Sequence, residues 1–228
     1  LSEIPDPAAV GMNAAALRRV DAIIESAIAA KVTPGAALAI GRNGQLVRLR
    51  GYGRTDYRVN APRVSPHTIY DLASLTKPLA TTTAAMLLVQ DGLLDVDRPL
   101  LHYFPEWRGL DDRARMTARH LLTHTSGLPA GGPLTGVGTD RSRAIATLGA
   151  VPLRARPGVQ TQYSDYGMIL LGVLVERLSG EPMDAFLDAR VFQPLGLTDT
   201  GFNPLRWNPS SLRLASFGGP DLLARIAP

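Results

Sequence analysis

The sequence predicts an α/β (α+β) chain in which one helix on a small sheet precedes a mostly helical stretch. Three observations carry this expectation. Apolar residues recur at helical spacing over 13–31, two short apolar runs flank an Asn-Gly dipeptide, and from Ser74 onward the long segments have helical rather than alternating periodicity. With 228 residues, 45% of them apolar and 19% charged, the chain can bury a core and fits one large domain or two small ones.

Asn13 is a capping residue type, and Leu17, Val20, Ile24 and Ile28 share one face of a helix over 13–31. A strand over 35–40 follows, Asn43-Gly44 suits the left-handed positions of a hairpin turn, and 45–52 is the return strand. A polar loop then reaches Pro66. Residues 1–66 therefore read as the N-terminal helix and hairpin of a sheet domain, and 67–228 as a mostly helical region. Its helices are expected over 74–90, ended by Asp91-Gly92, then over 117–123, 140–148, 165–178, ended by Ser179-Gly180, and 182–191. A two-stranded hairpin is marginal in water. The sheet is thus expected to lack its C-terminal strands here and to be completed by a further segment or by another copy of the chain. Leu1 stands where an initiating Met would, which reads as a processed or trimmed product.

Composition excludes several classes. There is no Cys, hence no disulfide, no thiolate zinc site and no Cys nucleophile. The net charge is +4, but the arginines are scattered, with Arg113, Arg115 and Arg119 the densest group. This is a solvated basic surface rather than a nucleic-acid site. The apolar runs Ile169-Leu170-Leu171 and Val173-Leu174-Val175 are too short for a transmembrane segment, and no signal peptide is visible. Gly-x-Ser-x-Gly, P-loop and dinucleotide-binding patterns are absent.

Chemistry concentrates in two segments. Ser74-Leu75-Thr76-Lys77 opens an apolar helix, and residues three apart share a helix face, so the Lys77 ammonium can reach the Ser74 hydroxyl. Lys31 and Lys77 are the only lysines among 24 basic residues. A lysine becomes a base when burial lowers its pKa, whereas an arginine does not. An N-capping serine and a chance lysine satisfy the same short pattern. Tyr163-Ser164-Asp165 precedes the next apolar helix, where Tyr163 could exchange protons with Ser74 and Lys77 and Asp165 could serve as a helix cap. His120 and His124 lie four apart, but without a Glu between them or a third ligand they read as structural. Thr125-Ser126-Gly127 reads as ordinary helix-end turn chemistry.

The run Tyr70-Asp71-Leu72-Ala73-Ser74-Leu75-Thr76-Lys77 resembles the nucleophile motif of the class C β-lactamase-like serine hydrolases, which include penicillin-binding DD-peptidases, D-aminopeptidases and family VIII esterases. Arg119-His120-Leu121-Leu122-Thr123-His124-Thr125-Ser126-Gly127-Leu128 is similar to that family's helix-and-turn segment. Tyr163-Ser164-Asp165 looks like its Tyr-x-Asn motif, and the run from Pro194 to Phe202 like a further landmark. The resemblance implies a three-layer sandwich with a helical domain and a site between them. It implies acyl transfer to Ser74, deprotonated by Lys77 with Tyr163, and no metal or organic cofactor. The substrate would be a small ester, peptide or β-lactam, and the location periplasmic or secreted. The rival reading is a non-catalytic penicillin-binding-like module or an inactive fragment. Two departures stand out. Asp165 replaces an amide that could donate to the acyl carbonyl, and its charge favours protonated Lys77, which points to esters or peptides over efficient β-lactam hydrolysis. The late Lys/His-Thr/Ser-Gly strand motif, which in the family also supplies one oxyanion donor, has no match here.

Overall fold

The computed structural model describes residues 3–132, 134 and 140–204, so the end of the expected helical region, 205–228, lies outside the described residues. The chain divides into two compact units, one holding Leu1–Asp71 and resuming at Leu197, the other spanning Leu72–Gly196.

In the first unit Asn13 caps α1 (Ala14–Ala29), its side-chain oxygen accepting the N–H groups of Ala15 and Ala16. Leu17 is buried and Val20, Ile24 and Ile28 are half-buried, so the apolar face faces inward as its spacing requires. The helix stops slightly before 31 because Lys31 takes a left-handed backbone, φ 58°. Strands β1 (Gly35–Arg42) and β2 (Gln45–Gly53) pair antiparallel. Asn43 and Gly44, at φ 54° and 72°, form the turn whose twist suits a hairpin. Among the described residues the sheet consists of these two strands. One polar cluster that the sequence does not advertise ties α1 to β2. Asp21 accepts the Tyr52 hydroxyl at 2.5 Å and pairs with the Arg48 guanidinium. Beside it Val10, Leu17 and Val47 form a small core flanked by Ile4, Met12 and Ile40.

The second unit is built around α5 (Asp165–Ser179), whose Met168, Leu170, Leu171, Val173, Leu174 and Val175 are all buried. A helix apolar on nearly every side must be surrounded. Four helices do so: α2 (Thr83–Gln90), α3 (Ala118–Leu122), α4 (Arg141–Ala150) and α6 (Met183–Leu187). Gly180, in the left-handed conformation, caps α5 as expected.

The expected single helix over 74–90 is broken into three pieces. A 3₁₀ turn covers Ala73–Leu75, a π-helical segment Lys77–Thr82, and only Thr83–Gln90 is regular α-helix. Pro78 explains this, since it has no N–H to donate four residues back and its ring crowds the preceding turn. The widened turn is stitched by Thr83, whose hydroxyl donates to the Pro78 carbonyl at 3.0 Å. The segment over 182–191 likewise divides into α6 and a π turn, Asp188–Phe192. The 3₁₀ turns Leu100–His102, Pro105–Trp107 and Asp111–Arg113 are too short to leave a periodic signal.

After α3 the chain runs back along residues 154–162. Gly158 N–H donates to Thr125 O, Gln162 N–H to His124 O and Arg154 N–H to Gly127 O, at 2.7–2.8 Å. Gly127 is needed there: φ is 81°, and a Cβ would lie 2.0 Å from the Ala155 carbonyl oxygen. Gly92, at φ 73°, has open space around it. Gly127→Ala is expected to cost about 2–4 kcal/mol, backbone strain plus overpacking, against about 1 kcal/mol for Gly92→Ala. Urea unfolding of the two variants checks the order, and equal losses would contradict the close approach.

Candidate active site

Ser74 sits exposed in the 3₁₀ turn, directly after Ala73, whose φ of 44° is a left-handed value costly for an alanine. Three residues on, Lys77 begins the π segment, and its Nζ lies 3.3 Å from Ser74 Oγ. The sequence spacing brings these two together even though the helix is irregular.

Tyr163 and Asp165 arrive from the turn before α5. Four bonds fix that turn against residues 124–130. Gln162 N–H donates to His124 O at 2.8 Å, and Ser164 N–H to His124 Nδ1 at 3.2 Å. The Ser164 hydroxyl donates to Pro129 O, and Asp165 N–H to Ala130 O, each at 2.6 Å. The expected cap residue is corrected here. Ser164, fully buried, caps α5 by accepting Gly167 N–H, and Asp165 is the first helical residue. Freed from capping, the Asp165 carboxylate holds Lys77 Nζ at 2.6 Å. Lys77 Nζ also lies 4.8 Å from the centre of the Tyr163 ring. Lys77 thus stands between Ser74 and Tyr163.

The charges settle differently from the sequence expectation for Lys77. Burial pushes its pKa down, but hydrogen bonds and charge from Asp165 and Tyr163 outweigh burial and raise it above 10.5. The surroundings of Lys77 therefore favour its ammonium form. Tyr163 moves the opposite way, below its ordinary value, chiefly through its hydrogen bond to Lys77 and then that to Ser74. Asp165 thus favours protonated Lys77, as its charge implies.

His124, which sequence reasoning set aside, is part of the surroundings. Its ring packs on Tyr163 with centroids 4.7 Å apart, and it adopts a left-handed backbone, φ 57°. Burial and then the Lys77 charge hold its pKa below the ordinary imidazole value, against an opposing pull from Asp165. The sequence signal lay in its place inside the helix-and-turn segment 119–128, not in any ligand spacing. His120 faces elsewhere: its Nδ1 accepts Thr117 N–H at 3.1 Å and closes the N-terminal capping box of α3.

Residues 20–210 match the Beta-lactamase family model. The chain belongs to the Beta-lactamase family. It is 36% identical over 216 residues to esterase EstB of Burkholderia gladioli, covering 86% of this chain and 54% of that protein. It is 32% identical over 211 residues to an N-acetylmuramyl-L-alanine amidase of Bacillus subtilis (strain 168), covering 83% and 47%. A class C β-lactamase solved in complex with cefoxitin superposes with TM-score 0.72 at 26% identity, covering 80% of this chain and 50% of that one. The chain therefore spans about half the length of these Beta-lactamase family relatives. The family match and these neighbours also bear out the α/β fold class. No helix among the described residues is long and apolar enough to cross a membrane.

Titration of Tyr163, followed by NMR of ring-labelled tyrosine, is expected to give a pKa below the ordinary 10.0. Lys77→Met should move it back upward. A Tyr163 that titrates normally in the unsubstituted protein would show that Lys77 does not stabilise the phenolate.

Proposed function

We propose that this chain carries the nucleophile half of a serine hydrolase that cleaves an ester or amide through an acyl-enzyme. The observation that supports this best is the Lys77 ammonium, 3.3 Å from Ser74 Oγ and 4.8 Å from the centre of the Tyr163 ring. A phenolate flanked by an ammonium can accept the Ser74 proton, and the ammonium stabilises the charge wherever the proton sits. The Ser74 Oγ then bonds to the substrate carbonyl carbon. As the tetrahedral centre collapses, the alcohol or amine departs with the proton that Tyr163 returns. Water repeats the sequence: Tyr163 takes its proton, hydroxide adds to the acyl carbon, and Ser74 Oγ leaves as the proton comes back. Lys77 stays protonated throughout.

Esterase and amidase relatives and a class C β-lactamase neighbour support the substrate class, a small carboxylic ester, peptide or β-lactam. Within it Asp165 supports simple esters or peptides over β-lactams, because a carboxylate already committed to Lys77 offers no N–H to a substrate carbonyl. We further propose that β1 and β2 gain neighbouring strands from outside the described residues or from another copy, since a two-stranded sheet is marginal alone.

In the protein supplied with its full sheet, Ser74→Ala is expected to abolish hydrolysis of a short p-nitrophenyl ester. Tyr163→Phe should lower it by about 10²-fold or more, the usual scale for loss of a general base. Activity retained in Ser74→Ala would refute the assignment. Asp165→Asn should raise acylation by a penicillin more than it raises ester turnover, and equal effects on both would remove Asp165 as the discriminator.

A further inference from the structure

We propose that His124 is a positioning residue, whose neutral imidazole holds the Tyr163-Ser164-Asp165 turn in register with Ser74 and releases it when protonated. The inference rests on the hydrolase reading for its effect on rate, but its structural core does not. Ser164 is fully buried, and its N–H donates to His124 Nδ1 at 3.2 Å. That nitrogen must therefore carry a lone pair, which places the ring proton of the neutral form on Nε2. The same ring packs on Tyr163 at 4.7 Å, and the His124 carbonyl accepts Gln162 N–H at 2.8 Å. One residue thus grips positions 162, 163 and 164 through its backbone, its ring face and its ring nitrogen.

The titratable and charged groups facing the ring are Lys77, from the segment that carries Ser74, and Tyr163 and Asp165, from the turn itself. Protonation would turn Nδ1 from acceptor to donor and set it against the Ser164 N–H, a buried donor left without its acceptor. It would also add a second cation beside Lys77, against which Asp165 pulls. Burial and Lys77 hold the imidazole below its ordinary 6.5, so the neutral grip persists through neutral pH. The grip is lost as pH falls through that lowered value.

Two substitutions separate positioning from bulk. Asn places an amide oxygen where His places Nδ1, tolerates a left-handed backbone, and does not titrate. Leu offers no acceptor. Long-range ¹H–¹⁵N NMR of the imidazole is expected to show the Nε2–H tautomer, and His124→Leu should move the Tyr163 titration toward its ordinary value. Neither readout requires turnover, so an inert protein would refute the hydrolase reading and leave this inference to be decided by NMR. In turnover of a p-nitrophenyl ester, His124→Leu should lower kcat about 10- to 10²-fold with little change in KM, the scale of a misplaced catalytic group. His124→Asn should restore most of that rate and remove the acid-side loss attributable to the imidazole. An Nδ1–H tautomer, an unmoved Tyr163 titration in His124→Leu, or an unchanged acid limb in His124→Asn would overturn it.

Discussion

The Lys77 ammonium lies against Ser74, Tyr163 and Asp165 at once. It lies 2.6 Å from an Asp165 oxygen and 3.3 Å from Ser74 Oγ, and it sits against the Tyr163 ring. These partners favour its charged form, and Lys77 is in turn the leading cause of the lowered Tyr163 phenol, with Ser74 next. The side chain is mostly withdrawn from solvent while Asp165 remains half open, so the pair is screened only on the carboxylate side. The proposed division of labour rests on this contact: Lys77 would supply charge, Tyr163 would move the proton, and Ser74 would supply the oxygen.

The contact depends on a chain of backbone choices. Asp165 can reach Lys77 because Ser164 caps α5 in its place. Ser164 can cap because the turn before α5 is bonded to residues 124–130, and that segment can bend so closely because Gly127 has no side chain. From the other direction, Pro78 widens the helix into a π segment just where Lys77 leaves it. Irregular helical turns of this kind recur at functional sites, where a side chain must be aimed rather than merely placed on a helix face. The regular core around α5 is the rigid support for both halves.

Much of this was legible in the sequence. The three-residue spacing of Ser74 and Lys77 brought their side chains together, and Asn13, Asn43-Gly44 and Gly180 act at the helix and hairpin ends as their residue types require. The direction of the Lys77 shift was half visible. Burial alone argues for a lowered pKa, the Asp165 charge argues against it, and the 2.6 Å approach of Asp165, 88 positions away in sequence, together with Tyr163 decides the direction. Non-local contacts of that kind leave no periodic trace. Nor does the anchoring role of His124, which depends on a ring nitrogen meeting a backbone N–H forty residues on. The Asp21–Arg48–Tyr52 cluster is invisible for the same reason.

The central claim is that Ser74 becomes a nucleophile because Tyr163 accepts its proton beside a permanently charged Lys77. Fluorophosphonate labelling, followed by intact mass and peptide mapping, tests it most directly. A single adduct on Ser74 is expected, forming faster as pH rises toward the lowered Tyr163 pKa and strongly slowed in Tyr163→Phe. An adduct on another residue, or a Ser74 labelling rate unchanged in Tyr163→Phe, would contradict it.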